Sequence, residues 1–207
     1  MSVQAFYKNY MAAFHKALDE IEVHVETRPV AYDTALQTIT AWLVALQQTH
    51  KKIMIIGNGG SAAVASHLAI DFWKNAGIKA MAFNDSSLLT CIANDFSYED
   101  VFAVPIRQFA DAGDLVICIS TSGRSENIIR GAKAAREAGC RVITCSGFQP
   151  DNALRALGDV NFFVPSDSYG VVETLHQYII HSLLDVKMYC GDGMDIFYRN
   201  QALAKNS

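Results

Sequence analysis

The stretch KIMIIGNGGSAAVASHLAIDFWK, residues 52–74, decides the fold class. It begins with an apolar, β-rich run that ends in glycine, and a helix-like run follows the Gly-rich turn at 57–61. A strand that leads through such a turn into a helix presents backbone N–H groups and the positive end of a helix, which favour a phosphate. The stretch therefore predicts a strand–turn–helix unit with an anion-binding turn.

Short apolar runs of this kind recur along the chain and alternate with helical patterns. Strands that alternate with helices form a parallel sheet covered on both faces. We therefore predict an α/β fold, a three-layer α/β/α sandwich with a central parallel five-stranded sheet and a long C-terminal helix near residues 170–190. The predicted strands are 52–57, 79–84, 115–120, 141–146 and 161–165, and the predicted helices between them are 61–75, 86–94, 125–138 and 151–157.

The first fifty residues show two helical patterns. Apolar side chains recur at steps of three and four in AFYKNYMAAFHKALDEIEVHV (5–25) and in AYDTALQTITAWLVALQQT (31–49), and Pro29 separates the two. We predict an N-terminal helical hairpin within residues 1–50 that serves oligomerisation. The α/β unit follows at 51–195, and the chain as a whole is expected to be a single domain.

Composition excludes several classes of protein. The 207 residues carry a net charge of −4 and contain no basic block, so we expect no nucleic-acid partner. No apolar stretch is long enough to span a membrane, and the N-terminus lacks the pattern of a signal peptide, so a cytoplasmic protein without a membrane partner is expected. The five cysteines form no C-x-x-C pair, which argues against a disulfide framework.

A second turn with phosphate-binding character follows the run at 115–120. Ligands of parallel α/β sheets bind at the carboxyl ends of the strands, where this turn lies. Hydroxyl groups and backbone N–H groups at a helix N-terminus suit a phosphate monoester, which has three oxygens to satisfy. An ordinary capping turn, with Ser125 as N-cap, is the alternative. The hydroxyl residues of the turn are Ser120, Thr121, Ser122 and Ser125.

The first turn alone also fits a loose dinucleotide fingerprint. Gly57, Gly59 and Ala62 match G-x-G-x-x-A, and Asp85 could supply the acidic residue after the second strand. The hydroxyl-rich second turn favours a terminal phosphate over a bridging pyrophosphate. We therefore expect a phosphorylated substrate and no nucleotide cofactor.

Several motifs that follow one another in a fixed order resemble those of a known protein family. The segments GNGGS, ANDFSYEDVF, GDLVICISTSGRSENII, AAREAGCRVITCSG and ETLHQYIIH resemble the SIS (sugar isomerase) phosphosugar-binding domain and, within it, the phosphoheptose isomerase family. The similarity extends from about residue 5 to about residue 190. It implies a flavodoxin-like or Rossmann-like fold and a homotetramer whose sites are shared between subunits. It also implies the conversion of sedoheptulose 7-phosphate to D-glycero-D-manno-heptose 7-phosphate.

The resemblance also implies the roles of individual residues. One zinc ion is expected in each site, and proton transfer is expected from His181 with Asp71 or Glu173, with Asp95 near the reacting end of the sugar. The implied phosphate-binding residues are Ser120, Thr121, Ser122 and Ser125. The implied sugar-binding residues are Asn58, Gly59, Gly60, Ser61 and Asp95. The implied zinc ligands are His67, Asp71, Glu173 and His181.

Spacing supports the ligand set independently. His67 and Asp71 are four positions apart and share a helix face. Glu173 and His181 are eight positions apart, which at the helical period leaves them roughly 80° from each other on the last helix. Two imidazoles and two carboxylates on facing helices suit zinc or a similar divalent ion. His176, which lies between the last two, is expected to be structural.

The chain departs from the family pattern at the sugar end. Asp71 stands where the family has Glu, and Glu173 stands where it has Gln. The YGVVE segment at 169–173 replaces an acidic–basic pair, and Asn75 stands where an Arg is usual. A changed sugar substrate is therefore one alternative.

Other classes of function also have to be considered. The first is a non-catalytic SIS-domain regulator that binds the bacterial replication initiator. The second is an NAD-dependent oxidoreductase, and the third is a sugar sensor with a DNA-binding domain. Two acids and two histidines retained at the metal positions favour an enzyme over the regulator.

Overall fold

The structure, a computed structural model, describes residues 2–196 and has the predicted α/β fold. No helix in this range is both long enough and apolar enough to cross a membrane. The strands are β1 (Glu22–Val25), β2 (Arg28–Val30), β3 (Lys52–Gly57), β4 (Lys79–Ala82), β5 (Leu115–Ser120), β6 (Arg141–Gly147) and β7 (Val160–Val164). The helices are α1 (Val3–Asp19), α2 (Tyr32–Gln48), α3 (Gly60–Asn75), α4 (Ser86–Asp95), α5 (Ala103–Phe109), α6 (Glu126–Glu137) and α7 (Tyr169–Val186), which a π-helical turn at Lys187–Gly191 extends.

The five predicted strands form the parallel part of a larger sheet. Strand order is β2-β1-β7-β6-β5-β3-β4, in which β3 to β7 are parallel. Strand β1 pairs antiparallel with both β7 and β2, which extends the sheet to seven strands. The residues before β3 therefore contribute to the central sheet.

The N-terminal region differs from the prediction in the connection between its helices. Helices α1 and α2 are both present, but the helical pattern that was extended to residue 25 ends at Asp19, and β1 and β2 form a β-hairpin. The alternation that marks β1 covers only four residues, with Val23 buried opposite Phe162. Too few residues alternate there to outweigh the helical period that precedes them.

Two smaller elements also differ from the prediction made from the sequence. Helix α5 was not predicted, although Pro105 is compatible with a helix because it lies in the first turn. The predicted helix at 151–157 is a single 3-10 turn, Ala153–Ala156.

The buried strands supply side chains to both faces of the sheet. In β3, Ile53 and Ile55 pack against α2, α3 and α7, whereas Met54 and Ile56 pack against α4, α5 and α6. Successive strand residues point to opposite faces, so a strand covered on both sides has to be apolar throughout. This requirement explains the uninterrupted apolar runs in the sequence.

Sheet topology brings the two predicted turns together. The chain leaves β3 for β4 on one side, whereas β5 pairs with β3 on the other side. This reversal is the switch point at which ligands of open α/β sheets bind. Gly57 is in register with Ile119, so the turns after β3 and β5 begin at the same level of the sheet edge.

A buried ammonium group joins the carboxyl-terminal ends of three helices. Lys187 is fully buried and donates hydrogen bonds to Gln47 Oε1 (2.9 Å), the Ala76 carbonyl (2.9 Å) and the Asp192 carboxylate (2.7 Å). These partners follow or end α2, α3 and α7, respectively. The contacts hold α7 beside α3, which matters because both helices contribute to the candidate site.

His176 lies on the inner face of α7 and is fully buried. Within residues 2–196, neither ring nitrogen has a well-formed hydrogen bond. Burial lowers the pKa of His176 to about 4, and a weak contact with the Ser146 backbone only partly opposes this change. His176 is therefore neutral near pH 7, which agrees with a structural role.

The depressed pKa of His176 predicts a loss of stability in acid. Below the ordinary histidine pKa of 6.5 the unfolded chain binds a proton that the native chain does not, so stability is lost progressively as pH falls toward 4. Between pH 7 and pH 5 the free energy of unfolding is expected to fall by about 2 kcal/mol from this group alone. Urea denaturation of the wild type and of His176→Leu measures this fall, which should be smaller in the variant. An equal pH dependence in both proteins would contradict it.

Candidate active site

A pocket of about 290 Å³ opens at the switch point between the two turns. All the predicted substrate residues except Asp95 line it, and two residues of α7 close one side. Its lining residues are Asn58, Gly59, Gly60, Ser61, Ile119, Ser120, Thr121, Ser122, Ser125, Tyr169 and Glu173.

The loop after β5 turns its hydroxyl groups toward the pocket. Gly123 has a φ of 62°, and a Cβ atom there would lie 2.0 Å from Asn152 Oδ1, so only glycine fits this close turn. The Gly123 N–H bonds to the Ser120 carbonyl (3.0 Å), which closes the loop. Ser125 occupies the N-cap position of α6 but its side chain makes no capping hydrogen bond, and its hydroxyl lies 3.3 Å from Ser120 Oγ. Uncapped N–H groups and hydroxyls at this helix end are suited to an anion.

The Gly-rich turn after β3 allows close approach from two sides. A Cβ atom at Gly57 would lie 2.6 Å from the Ser61 backbone, and one at Gly60 would lie 2.7 Å from Glu173 Oε2. Gly59 has a φ of 54° at the start of α3. The missing side chain at Gly60 therefore makes room for the Glu173 carboxylate beside the start of α3.

Two histidines and one carboxylate meet farther along α3 and α7. His67 Nε2 lies 3.2 Å from His181 Nε2 and 3.5 Å from Asp71 Oδ2. Ligand atoms of the three residues all lie within 4.8 Å of one another. Asn75, at the position where the family pattern has Arg, donates to Asp71 Oδ1 (3.2 Å) and fixes that carboxylate.

The donor set fits a divalent transition metal. Two imidazole nitrogens on a tetrahedral zinc ion, each about 2.0–2.1 Å from it, lie roughly 3.3 Å apart. The separation of the His67 and His181 Nε2 atoms, 3.2 Å, is close to this value. The hydrogen bond from Asn75 to Asp71 corresponds to the outer contacts that orient carboxylate ligands. These residues are thus able to hold zinc.

Glu173 lies apart from this three-residue group in the structure. Glu173 lines the pocket between the two turns and also a neighbouring groove of about 400 Å³. The groove runs between α3 and α7 and reaches His67. Glu173 is therefore placed between the hydroxyl-rich loop and the histidines.

Asp95 does not reach the pocket from within the same chain. It ends α4, is exposed, and accepts hydrogen bonds from Asn94 Nδ2 (2.8 Å) and Cys91 Sγ (3.5 Å). Tyr98, three positions further along the chain, donates its hydroxyl to Asn58 at the pocket (3.3 Å), whereas Asp95 is absent from the pocket lining.

Sequence reasoning missed three residues of this region. Tyr169 lines the pocket and packs edge-to-face on Phe148, with ring centroids 4.8 Å apart. Asn127 is buried behind the hydroxyl-rich loop. Asp185 lines a cavity of about 170 Å³ with Asp71 and His181, and burial raises the pKa of its carboxyl group. A helical spacing of four from His181 was the signal that could have indicated Asp185.

Comparison with known proteins gives one consistent result. The family model of the SIS domain matches residues 11–147. The phosphoheptose isomerase of Helicobacter hepaticus is 37% identical over 165 residues, which cover 76% of this chain and 84% of the relative. That of Nitratiruptor sp. is 34% identical over 180 residues, which cover 84% of this chain and 90% of the relative.

A solved structure shows the same architecture. The phosphoheptose isomerase GmhA from Neisseria gonorrhoeae superposes with a TM-score of 0.74 at 30% identity, and the match covers 90% of this chain and 98% of that one. The shared fold extends beyond the segment that the family model matches. The chain therefore belongs to the phosphoheptose isomerase family of SIS-domain proteins, a family of aldose–ketose isomerases.

Proposed function

We propose that this protein converts sedoheptulose 7-phosphate to D-glycero-D-manno-heptose 7-phosphate, a precursor step for lipopolysaccharide or capsule sugars, in the cytoplasm. The observation that carries the proposal is the arrangement of the site. A hydroxyl-rich anion pocket leads past Glu173 into a groove that reaches His67. One phosphorylated sugar can therefore contact an anion site at one end and acid–base groups at the other.

The length of the groove suits an open-chain heptose. Gly60 at the pocket and His67 in the groove are seven positions apart on α3. Seven positions correspond to roughly 10 Å along a helix axis. An extended seven-carbon sugar phosphate has a comparable length, so its carbonyl end would lie near the histidines when its phosphate occupies the loop.

The groups at the phosphate end of the site would supply binding energy and fix the position of the sugar along the groove. Hydroxyls of Ser120, Ser122 and Ser125 and the N-terminus of α6 would hold the phosphate. These groups do not take part in bond changes. Their binding energy positions the remote carbon atoms against the acid–base residues.

The reacting end performs proton transfer between adjacent carbons. A base removes a proton from C1 of the ketose while O2 gains a proton, which gives the enediol, and a proton is then returned to C2 while O1 loses its proton, which gives the aldose. We assign these transfers to His181 and to Glu173 or Asp71, where His181 and Asp71 can carry a proton only on a nitrogen or oxygen atom that binds no metal ion. A divalent ion, proposed to be zinc, would polarise the sugar oxygens when held by His67, Asp71 and His181. A contact of Glu173 with that ion stays a prediction, because it requires the carboxylate to move toward the histidines.

A homotetramer with shared sites is part of the proposal. Large apolar side chains are exposed on α1, α3 and α7, and a second copy of the chain could cover them. Asp95, which does not line the pocket of its own chain, would then contribute to a site shared with a neighbouring subunit. The exposed side chains are Phe6, Tyr7, Tyr10, Ile70, Trp73 and Tyr178.

An isomerase for a different sugar phosphate is a second candidate. Tyr169 lines the pocket where the family pattern has a charged pair, and Asp71 is one methylene shorter than the family's Glu. Both changes affect the sugar end and leave the hydroxyl-rich loop intact. The assembled His67, Asp71 and His181 group argues against a non-catalytic regulator that binds the replication initiator.

Because one end of the site would bind the phosphate and the other would transfer protons, substitutions at the two ends should affect KM and kcat differently. Isomerisation of sedoheptulose 7-phosphate, followed by NMR, tests the function itself. Ser122→Ala removes a hydrogen bond to a charged phosphate and should raise KM about tenfold or more. His181→Ala removes an acid–base group and should lower kcat at least about 100-fold. Equal losses of kcat with unchanged KM in both variants would contradict this division.

Metal content tests the histidine cluster without reference to activity. Purified protein loaded with zinc is expected to retain about one ion per chain, and His67→Ala should lose it, since three ligands from a pre-formed cluster become two. Elemental analysis after gel filtration measures the content. His15→Ala, which alters an exposed histidine of α1, is the matched control and should retain zinc. Equal zinc content in His67→Ala and His15→Ala would exclude the site.

Subunit number tests the shared-site proposal. Light scattering coupled to size exclusion should give about four chain masses, because closed symmetric assemblies cover such apolar faces. A double substitution of exposed side chains, Phe6→Ser with Trp73→Ser, should reduce that mass. A wild-type monomer would refute the sharing of sites.

A further inference from the structure

A reciprocal amide pair connects the two turns of the site. Asn58 Nδ2 donates to Asn127 Oδ1 (2.9 Å), and Asn127 Nδ2 donates to Asn58 Oδ1 (2.9 Å). Asn58 is the first residue after β3, and Asn127 is the second residue of α6, directly behind the hydroxyl-rich loop. The pair therefore spans the switch point between β3 and β5.

The surroundings fix the direction of the pair. Asn127 is 3% exposed, and its Oδ1 also accepts from the Ile128 N–H (3.0 Å). A flipped Asn127 amide would turn its NH₂ group toward that N–H donor. Tyr98 donates its hydroxyl to Asn58 Oδ1 (3.3 Å), which favours the same orientation at the other end.

Asn58 has little capacity left for a ligand. Its Oδ1 accepts from Asn127 and Tyr98, and its backbone carbonyl accepts from the N–H groups of Ser61 (3.0 Å) and Ala62 (3.3 Å). An amide oxygen and a carbonyl oxygen each offer two lone pairs. The side chain can thus donate one remaining N–H to a sugar but has no acceptor to offer.

We infer that Asn127 is a positioning residue that acts through Asn58 to hold the Gly-rich turn in register with the phosphate loop. In this arrangement Asn58 is mainly a connector, and the sugar is recognised by the groups that follow it in the turn, Gly59, Gly60 and Ser61. The pair fixes the position of the sugar-binding turn before α3 relative to the hydroxyl-rich loop before α6. The kinetic part of this inference rests on the proposed function, whereas the structural part does not.

Hydrogen exchange tests the structural part in the protein without substrate. Asn127→Ala should increase exchange about tenfold at the amides of Ser61 and Ala62, which bond to the Asn58 carbonyl, since the two-bond clamp on Asn58 is lost, and should leave the amides of β3 unchanged. Tyr98→Phe, which removes only the third contact to Asn58, is the control and should change exchange less than about twofold. Unchanged exchange at Ser61 and Ala62 in Asn127→Ala would overturn the clamp, whether or not the protein turns over a heptose phosphate.

A double-mutant cycle tests the kinetic part. With sedoheptulose 7-phosphate, Asn127→Ala should lower kcat/KM about tenfold in the wild-type background and have no further effect when Asn58 is alanine. The Kd for inorganic phosphate, from ³¹P NMR, should stay within about twofold, because the loop hydroxyls are untouched. The same tenfold loss in both backgrounds, or a parallel loss of phosphate binding, would overturn positioning through Asn58. If Asn127→Ala does not fold, Asn58→Ala, at a half-buried turn position, gives the exchange measurement in its place.

Discussion

Pairing of β3 with β5 is the constraint on which the site depends. Their register places Gly57 beside Ile119, so the chain leaves both strands at one level of the sheet edge. Each strand ends in a turn that starts a helix, and both helix N-termini therefore face the same crevice. Neither turn alone defines a sugar-phosphate site. Their adjacency supports the proposed site, and the amides of Asn58 and Asn127 join the two turns directly.

Packing of α3 against α7 extends the crevice into a groove. Gly60 lacks the side chain that would exclude Glu173, and the buried Lys187 holds the far ends of the helices together. Between these two contacts, His67 and His181 approach to 3.2 Å. The pocket and the groove share Gly60 and Glu173, so anion-binding groups are followed by a carboxylate and then by His67, an order that suits the proposed acid–base isomerisation of a phosphorylated sugar.

Elements whose pattern extends over many residues, and turns with a strong local motif, were predictable from the sequence. All five parallel strands and the residues of both turns followed from apolar runs and turn chemistry. The β-hairpin at 22–30 did not, because four alternating residues are too few to be recognised. The helical wheel placed Glu173 and His181 on one side of α7, and the structure groups His181 with His67 and Asp71, whereas a contact of Glu173 with a bound ion stays a prediction. Asn127 belongs to the motif that marked the resemblance, but its role could not be predicted, since that role depends on a partner 69 positions away.

Proton transfer at this site is the central claim, and proton NMR in D₂O tests it most directly. Zinc-loaded protein incubated with sedoheptulose 7-phosphate is predicted to yield an aldose heptose 7-phosphate that carries solvent deuterium at C2, because the enediol takes its proton from an acid in exchange with solvent. A ketose that neither isomerises nor exchanges hydrogen at C1 under these conditions would contradict the account.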